Sequence, residues 1–247
     1  MPREDTGLLR GDSVPSANRL DGCDAVLFDA VGTLMYPHPS VGAIYTHVAR
    51  LWGYQVPSEV MDNAFRAAYA ERFSRRFGEA GRTSDATEKA WWRETVARNF
   101  ELAGLAVPSE PCFEAIFARF GESRSWGLFG DALPTLLRLR RSGRRAGIVS
   151  NFDSRLEALC HGLGLSEAVD AVVYSAAVGF AKPARPIFAA ALQALETSPE
   201  RTLFVGDSPQ DDVAGARAAG CRAMLLDRRT IAGSPDTLVT LADLLDT

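Results

Sequence analysis

Several apolar runs in this chain end on a side chain able to do chemistry. Asp29 follows residues 25–28, Ser150 follows 146–149, Asp207 follows 203–206 and Asp227 follows 223–226; Ser175 closes a fifth run, 171–174. A carboxylate can attack an electrophile such as phosphorus, splitting one hard step into two. Carboxylate oxygens also suit a hard cation such as Mg²⁺. Asp and Ser are common turn residues after any strand, which accounts for one or two such ends. So many at once predict a single polar site.

The elements that position these residues follow from the same runs. Continuous apolar runs of this length suit strands buried on both faces, as in parallel sheets. Helical patterns at 155–161, 185–195 and 213–219 follow most of them. Strand alternating with helix predicts an α/β fold, a Rossmann-like doubly wound parallel sheet. Ligands bind beyond the carboxyl ends of such strands, where Asp29, Ser150, Asp207 and Asp227 stand. Ser154-x-x-Glu157 is a capping-box pattern that predicts a helix N-terminus just beyond the second of these strands.

Between Met35 and about Trp126 the pattern is helical instead. Val41, Ile44, Tyr45, Val48 and Leu51 share one face; so do Met61, Ala64, Phe65 and Ala68, then Trp92, Val96 and Phe100, then Phe113, Ile116, Phe117 and Phe120. Turn signals at Gly53, Gly78 with Gly81, and Val107-Pro108-Ser109 separate them. An antiparallel helical bundle inserted after the first strand fits, with Trp91 and Trp92 as bundle core. The expected organisation is a loose leader at 1–21, a core built from 22–36 and 127–247, and a helical insert at 37–126.

Composition sets the outer bounds. The chain has 247 residues, 47% hydrophobic and 23% charged, enough for one large core or a core with a smaller satellite. Disordered, collagenous and disulfide-scaffold classes do not fit these figures. No apolar run approaches the ~20 residues of a membrane helix. Arg3, Glu4, Asp5 and Arg10 leave no signal-peptide apolar region, so a cytoplasmic protein is expected. A net charge of −4 offers no basic excess for nucleic acid or an anionic membrane. Cys23, Cys112, Cys160 and Cys221 are scattered without C-x-x-C spacing and read as buried small hydrophobes. Only two of the 27 basic residues, Lys89 and Lys182, are lysines, which makes each a candidate.

Four strings occur in order: Leu27-Phe28-Asp29-Ala30-Val31-Gly32-Thr33-Leu34, Ile148-Val149-Ser150-Asn151, Lys182-Pro183, and Val205-Gly206-Asp207-Ser208-Pro209-Gln210-Asp211-Asp212-Val213. Together they resemble the motifs of the haloacid dehalogenase superfamily, whose first motif usually reads Asp-x-Asp-Gly-Thr, over residues 24–245. Trp91-Trp92, Asn99-Phe100-Glu101-Leu102-Ala103-Gly104 and Ser150-Asn151-Phe152-Asp153 are similar to one branch of it, and the helical insert matches its C1-type cap. The resemblance implies that Asp29 is the nucleophile of a phosphatase acting on a small phosphorylated metabolite. Mg²⁺ would be held by Asp29, Asp207 and the backbone carbonyl of Val31, with Asp212 orienting metal-bound water and Asp211 a weaker candidate for that place. Ser150, the amide of Asn151 and Lys182 would bind phosphate, and Thr33 would order the loop beside them. An anionic nucleophile near an anionic phosphate meets repulsion of about 4 kcal/mol at about 4 Å for an effective dielectric near 20, which the cations would offset. Either a monomer or a homodimer is compatible.

The pattern breaks at Val31, where the family's phosphatases carry a second aspartate that protonates the leaving group. Valine transfers no proton, and such help is commonly worth ~10²–10⁴ in rate. His38, at the entry to the insert, is the nearest titratable substitute, or a plain linker residue. Valine also fits the dehalogenase branch, Asp-Ala-Tyr-Gly-Thr, which attacks carbon without Mg²⁺ but usually lacks an aspartate equivalent to Asp207. A member that binds phosphorylated ligands or proteins without turnover is the third alternative. Lys89 as a Schiff-base lysine is a further one, against an exposed place on the third helix of the insert.

Overall fold

The segment Ala25–Phe28 (β1) is buried along its whole length, and the rest of the sheet is built outward from it. The computed structural model describes residues 19–73, 76–77, 79–230 and 236–245. In chain order β1 is followed by β2 (Met35–Pro37), α1 (Val41–Ala49), α2 (Ser58–Phe73), α3 (Asp85–Leu102), α4 (Glu110–Arg119), β3 (Trp126–Leu128) and α5 (Ala132–Arg141). Then come β4 (Arg145–Ser150), α6 (Arg155–Gly162), β5 (Ala171–Tyr174), α7 (Ser175–Val178), α8 (Arg185–Ala194), β6 (Thr202–Gly206), α9 (Gly215–Ala218), β7 (Arg222–Leu226) and β8 (Thr237–Leu238).

Strand order is β5-β4-β1-β6-β7-β8, with every pairing parallel. Alternate residues of a strand point to opposite faces. Val26, Phe28, Ile148 and Val205 therefore join one apolar core, and Ala25, Leu27, Val149 and Phe204 the other. Helices cover both faces, so the chain is an α/β Rossmann-like protein. Register sets Phe28 level with Ile148 and Val205, so the residues that follow emerge along one carboxyl edge.

The helices α1 to α4 lie between β2 and β3, which pair antiparallel beneath them. They enclose their own core, with Tyr45, Val48, Met61, Phe100, Phe113 and Ile116 among its members. Apolar spacing located these helices but missed the end of the first and the buried polar residues of the third. Leu51 falls past the end of α1 and is 75% exposed. The face of α3 expected from Trp92, Val96 and Phe100 does pack into the bundle core, but Glu88, Thr95 and Asn99 are buried beside it. Thr95 donates to Trp91 O at 2.8 Å and Asn99 Nδ2 to Met61 O at 3.0 Å, while Asn99 Oδ1 is buried without a partner among the described residues. Hydropathy registers a buried polar residue as a surface one.

Two further differences concern ends. The helix expected at 213–219 is a π-type turn over Pro209–Ala214 followed by the single turn of α9. The expected leader falls mostly on residues 1–18, outside the described residues. Its last residues are fastened to the fold: Leu20 is buried, and Arg222 donates to Arg19 O at 2.9 Å and Asp21 O at 2.7 Å. Among the described residues no helix is long and apolar enough to cross a membrane. All four cysteines are buried and unlinked, as their spacing predicts.

Candidate active site

Lys182 stands at the centre of the carboxyl edge. Its Nζ donates to Asp29 Oδ1 at 2.6 Å, Asp212 Oδ1 at 2.6 Å and Val149 O at 2.9 Å. All three ammonium hydrogens are thereby used, and Lys182 is 2% exposed. Burial alone would lower the lysine pKa; the charges of Asp212 and Asp29 outweigh it and raise it. Lys182 thus stays protonated within the protein.

Asp29, Asp207 and Asp212 each bring a carboxylate oxygen within 4.8 Å of the others. Backbone economy makes the cluster possible. A Cβ on Gly206 would collide with the Asp212 carboxylate, and one on Gly32, at φ +95°, with Asp207 Oδ2. The π-type turn brings Asp212 back beneath β6, where its Oδ2 accepts Ser208 N at 2.9 Å. Three carboxylates against one ammonium leave an excess of negative charge. Burial pushes the Asp29 pKa up to about 7; Lys182 pulls it down, and Asp212 and Asp207 add to the rise. Asp207 opens onto the cavity, yet enclosure by protein and the charge of Asp212 raise it to about 6. Asp211 is raised as well, first by burial and then by Asp212. Carboxylate oxygens with unbalanced charge are the donor set of a hard divalent cation.

Ser150, at the end of β4, is buried and lines the same cavity, as does Asn151. The Asn151 side chain is committed to the main chain of Lys182 on both sides. Val31 is half-buried and also faces the cavity. Thr33 does not line it: its side chain is fully buried with no partner for its hydroxyl. The Ser154 capping box does not form. Asp153 Oδ1 instead accepts Arg155 N at 3.1 Å, and Ser154 N turns to Asp85 Oδ1 at 2.8 Å. Asp227 holds Arg229 N at 3.0 Å and stays outside the cavity. His38 is exposed and outside it too. Lys89 pairs with Glu114 at 2.8 Å on the surface of α3.

The cavity encloses about 620 Å³ between the carboxyl edge and the helical layer. Its far side is aromatic, with Tyr45, Phe65, Tyr69, Trp92, Phe117 and Phe120. Trp91 is buried, and Trp92 packs against the bundle core as expected while also lining this cavity. Two arginines that no motif marks also reach it. Arg76 donates to Glu88 at 3.1 Å and to Asn151 O at 2.9 Å, tying the helical layer to β4. Arg155 chelates Asp153 at 2.8 and 2.7 Å and donates to Phe117 O at 2.6 Å. In a chain whose basic residues are nearly all arginine, neither could be singled out beforehand.

A family model described as haloacid dehalogenase-like hydrolase matches residues 23–220. The chain belongs to the haloacid dehalogenase-like hydrolase family. The branch suggested by Trp91-Trp92 and the Ser150-Asn151-Phe152-Asp153 string is that of haloacid dehalogenase-like hydrolase domain-containing protein 3. The Homo sapiens protein of that name is 34% identical over 201 residues, 81% of this chain and 80% of its own. A phosphoserine phosphatase of Thermus thermophilus is 39% identical over 145 residues, 56% of this chain and 57% of its own. Among solved structures, the L-2-haloacid dehalogenase of Xanthobacter autotrophicus with chloropropionic acid covalently bound superposes with TM-score 0.71 at 23% identity. That match covers 90% of this chain and 96% of the dehalogenase, and shows the shared fold of the family. In this hydrolase Asp29, Ser150 and Asp207 stand at strand ends, and Lys182 lies in the loop between α7 and α8.

Proposed function

We propose that this hydrolase is a Mg²⁺-dependent phosphatase acting on a small phosphorylated metabolite through an aspartyl-phosphate on Asp29. The observation that carries the reading is the Lys182 ammonium, 2.6 Å from both Asp29 and Asp212, beside an Asp207 that completes an acidic triad. A dehalogenase working without a cation would gain nothing from two further carboxylates repelling its nucleophile. The triad's donor chemistry fits Mg²⁺, which Asp29, Asp207, Asp212 and the Val31 carbonyl would hold. When bound, the ion supplies positive charge between nucleophile and phosphoryl group.

In the proposed reaction an Asp29 carboxylate oxygen attacks phosphorus, forming the new P–O bond as the bond to the leaving oxygen breaks. Lys182 balances charge on the phosphoryl oxygens, and the Ser150 hydroxyl and Asn151 N–H donate to them. Val31 offers no proton, so the leaving oxygen departs with its electron pair. Water then attacks phosphorus, releasing inorganic phosphate and restoring the carboxylate. Residues 37–126 act as a cap that closes the cavity over the substrate. The test is turnover of 4-nitrophenyl phosphate with and without Mg²⁺. Activity that needs the ion and disappears in Asp29→Asn is expected; activity indifferent to chelator, or intact in that variant, defeats the reading.

A further inference from the structure

Phosphatases for sugars, polyols or amino acids must satisfy several hydroxyls, amines or carboxylates of the leaving half. The helical layer over this cavity supplies little for that. Among the described residues, Arg76 is the one charged group that the helical layer sends to it, and that guanidinium is already bound to Glu88 and Asn151 O. Arg155, from α6, is likewise spent on Asp153 and Phe117 O. What remains on the helical side is an aromatic surface whose hydroxyls are those of Tyr45 and Tyr69, while Ser208 and Asp211 lie on the core side with the acidic cluster. Phe65 and Trp92 lie parallel to within 6° at 6.5 Å between ring centroids, with Tyr45, Tyr69, Phe117 and Phe120 around them. Burying a polyol against such a surface leaves its hydroxyls unpaired; burying a planar ring gains stacking and apolar contact.

A second observation is independent of the first. Val31 faces the cavity where a leaving-group acid would serve. Without a proton donor, only an oxygen that is stable as an anion leaves readily, and phenols, with pKa of about 10 in tyrosine, meet that condition far better than aliphatic alcohols.

Building on the phosphatase reading above, we propose that the substrate class is phosphate monoesters of aromatic alcohols, their ring seated against Phe65 and Trp92. Asp29 attacks phosphorus, the aryl–oxygen-to-phosphorus bond breaks, and the aryloxide leaves with the electron pair and takes its proton from water. Hydrolysis of the aspartyl-phosphate then yields inorganic phosphate.

The test compares kcat/KM for 2-naphthyl phosphate, glycerol 3-phosphate and acetyl phosphate on the whole protein with Mg²⁺. Glycerol 3-phosphate lacks both ring and good leaving group; acetyl phosphate lacks the ring but releases a carboxylate, a better leaving group than naphtholate, so the ring is read in KM. The naphthyl ester is expected to exceed the glycerol ester in kcat/KM by about 10²-fold or more, and its KM to lie about tenfold below that of acetyl phosphate. Phe65→Leu and Trp92→Phe, both chosen to keep the core filled, narrow the naphthyl-over-acetyl ratio through KM. In the unaltered protein, 2-naphthol competes with acetyl phosphate. Glycerol 3-phosphate turned over as well as the naphthyl ester, a KM for acetyl phosphate as low as that for the naphthyl ester, or indifference to 2-naphthol overturns the aromatic assignment and leaves the phosphatase reading standing. Silence on all three esters overturns both.

Discussion

Asn151 holds the main chain of Lys182 on both sides, its Oδ1 accepting from Lys182 N at 2.7 Å and its Nδ2 donating to Lys182 O at 3.0 Å. The lysine side chain therefore starts from a backbone pinned to the end of β4, and from there reaches Asp29, Asp212 and Val149 O. Asn151→Ala removes both bonds. A stability loss of about 1–3 kcal/mol is expected in urea unfolding. If the pair positions Lys182, kcat falls further than KM rises; a change confined to KM would argue against it.

Lys182→Met leaves Asp29 and Asp212 facing each other without a cation. Removing one partner of a buried ion pair costs about 3–5 kcal/mol. The loss is expected to be smaller at pH 5 than at pH 7.5, because the abandoned carboxyls take up protons and the repulsion ends. Denaturant titrations at the two pH values decide this: equal losses would mean that the ammonium does not balance those charges.

The sheet and the anionic half of the site were legible because they rest on strong local signals. The residues of β1 are apolar throughout, and Asp29, Ser150 and Asp207 each end or follow a buried strand. What escaped is short or long-range. β2 and β3 are three residues each, below any detectable alternation, and lie far apart in the chain. The roles of Arg76 and Arg155 depend on Glu88, Asp153 and two backbone carbonyls that only folding brings together. Trp91 and Trp92 both contact Tyr69 and Arg76, yet Trp91 Nε1 donates to Arg72 O while Trp92 packs on the bundle core and also lines the cavity. Periodicity cannot tell a face packed on core from one packed on an internal cavity.

Proton linkage gives a prediction about the cation. Asp29 is raised to about 7 and Asp207 to about 6, both first by burial. A carboxyl whose folded pKa lies above its unfolded value contributes stability that is complete below the unfolded pKa and is lost as pH rises through the folded one. The metal-free protein should therefore lose stability from these groups between pH 4 and about 7, and Asp29→Asn should show a flatter dependence. The same protons compete with Mg²⁺, so Mg²⁺ affinity should rise across pH 6 to about 7. Thermal unfolding and Mg²⁺ titration of both proteins over this range test it. A parallel pH dependence in the variant would remove Asp29 from the linkage.

Val31→Asp separates the two restrictions on substrate choice. The side chain faces the cavity and is half-buried, so a carboxyl there has access to the leaving oxygen and to solvent protons. Supplying the missing acid is expected to raise kcat for glycerol 3-phosphate by about 10²-fold or more. For 4-nitrophenyl phosphate, whose leaving group needs no proton, the gain should be far smaller. KM for the glycerol ester should stay high, because the aromatic surface of Phe65 and Trp92 is unchanged and still offers its hydroxyls no partners. A pH optimum falling on the alkaline side as the new acid deprotonates would mark proton donation as the cause. Equal gains on both esters would instead mean that Val31 limits the attack on phosphorus and not the departure of the leaving group.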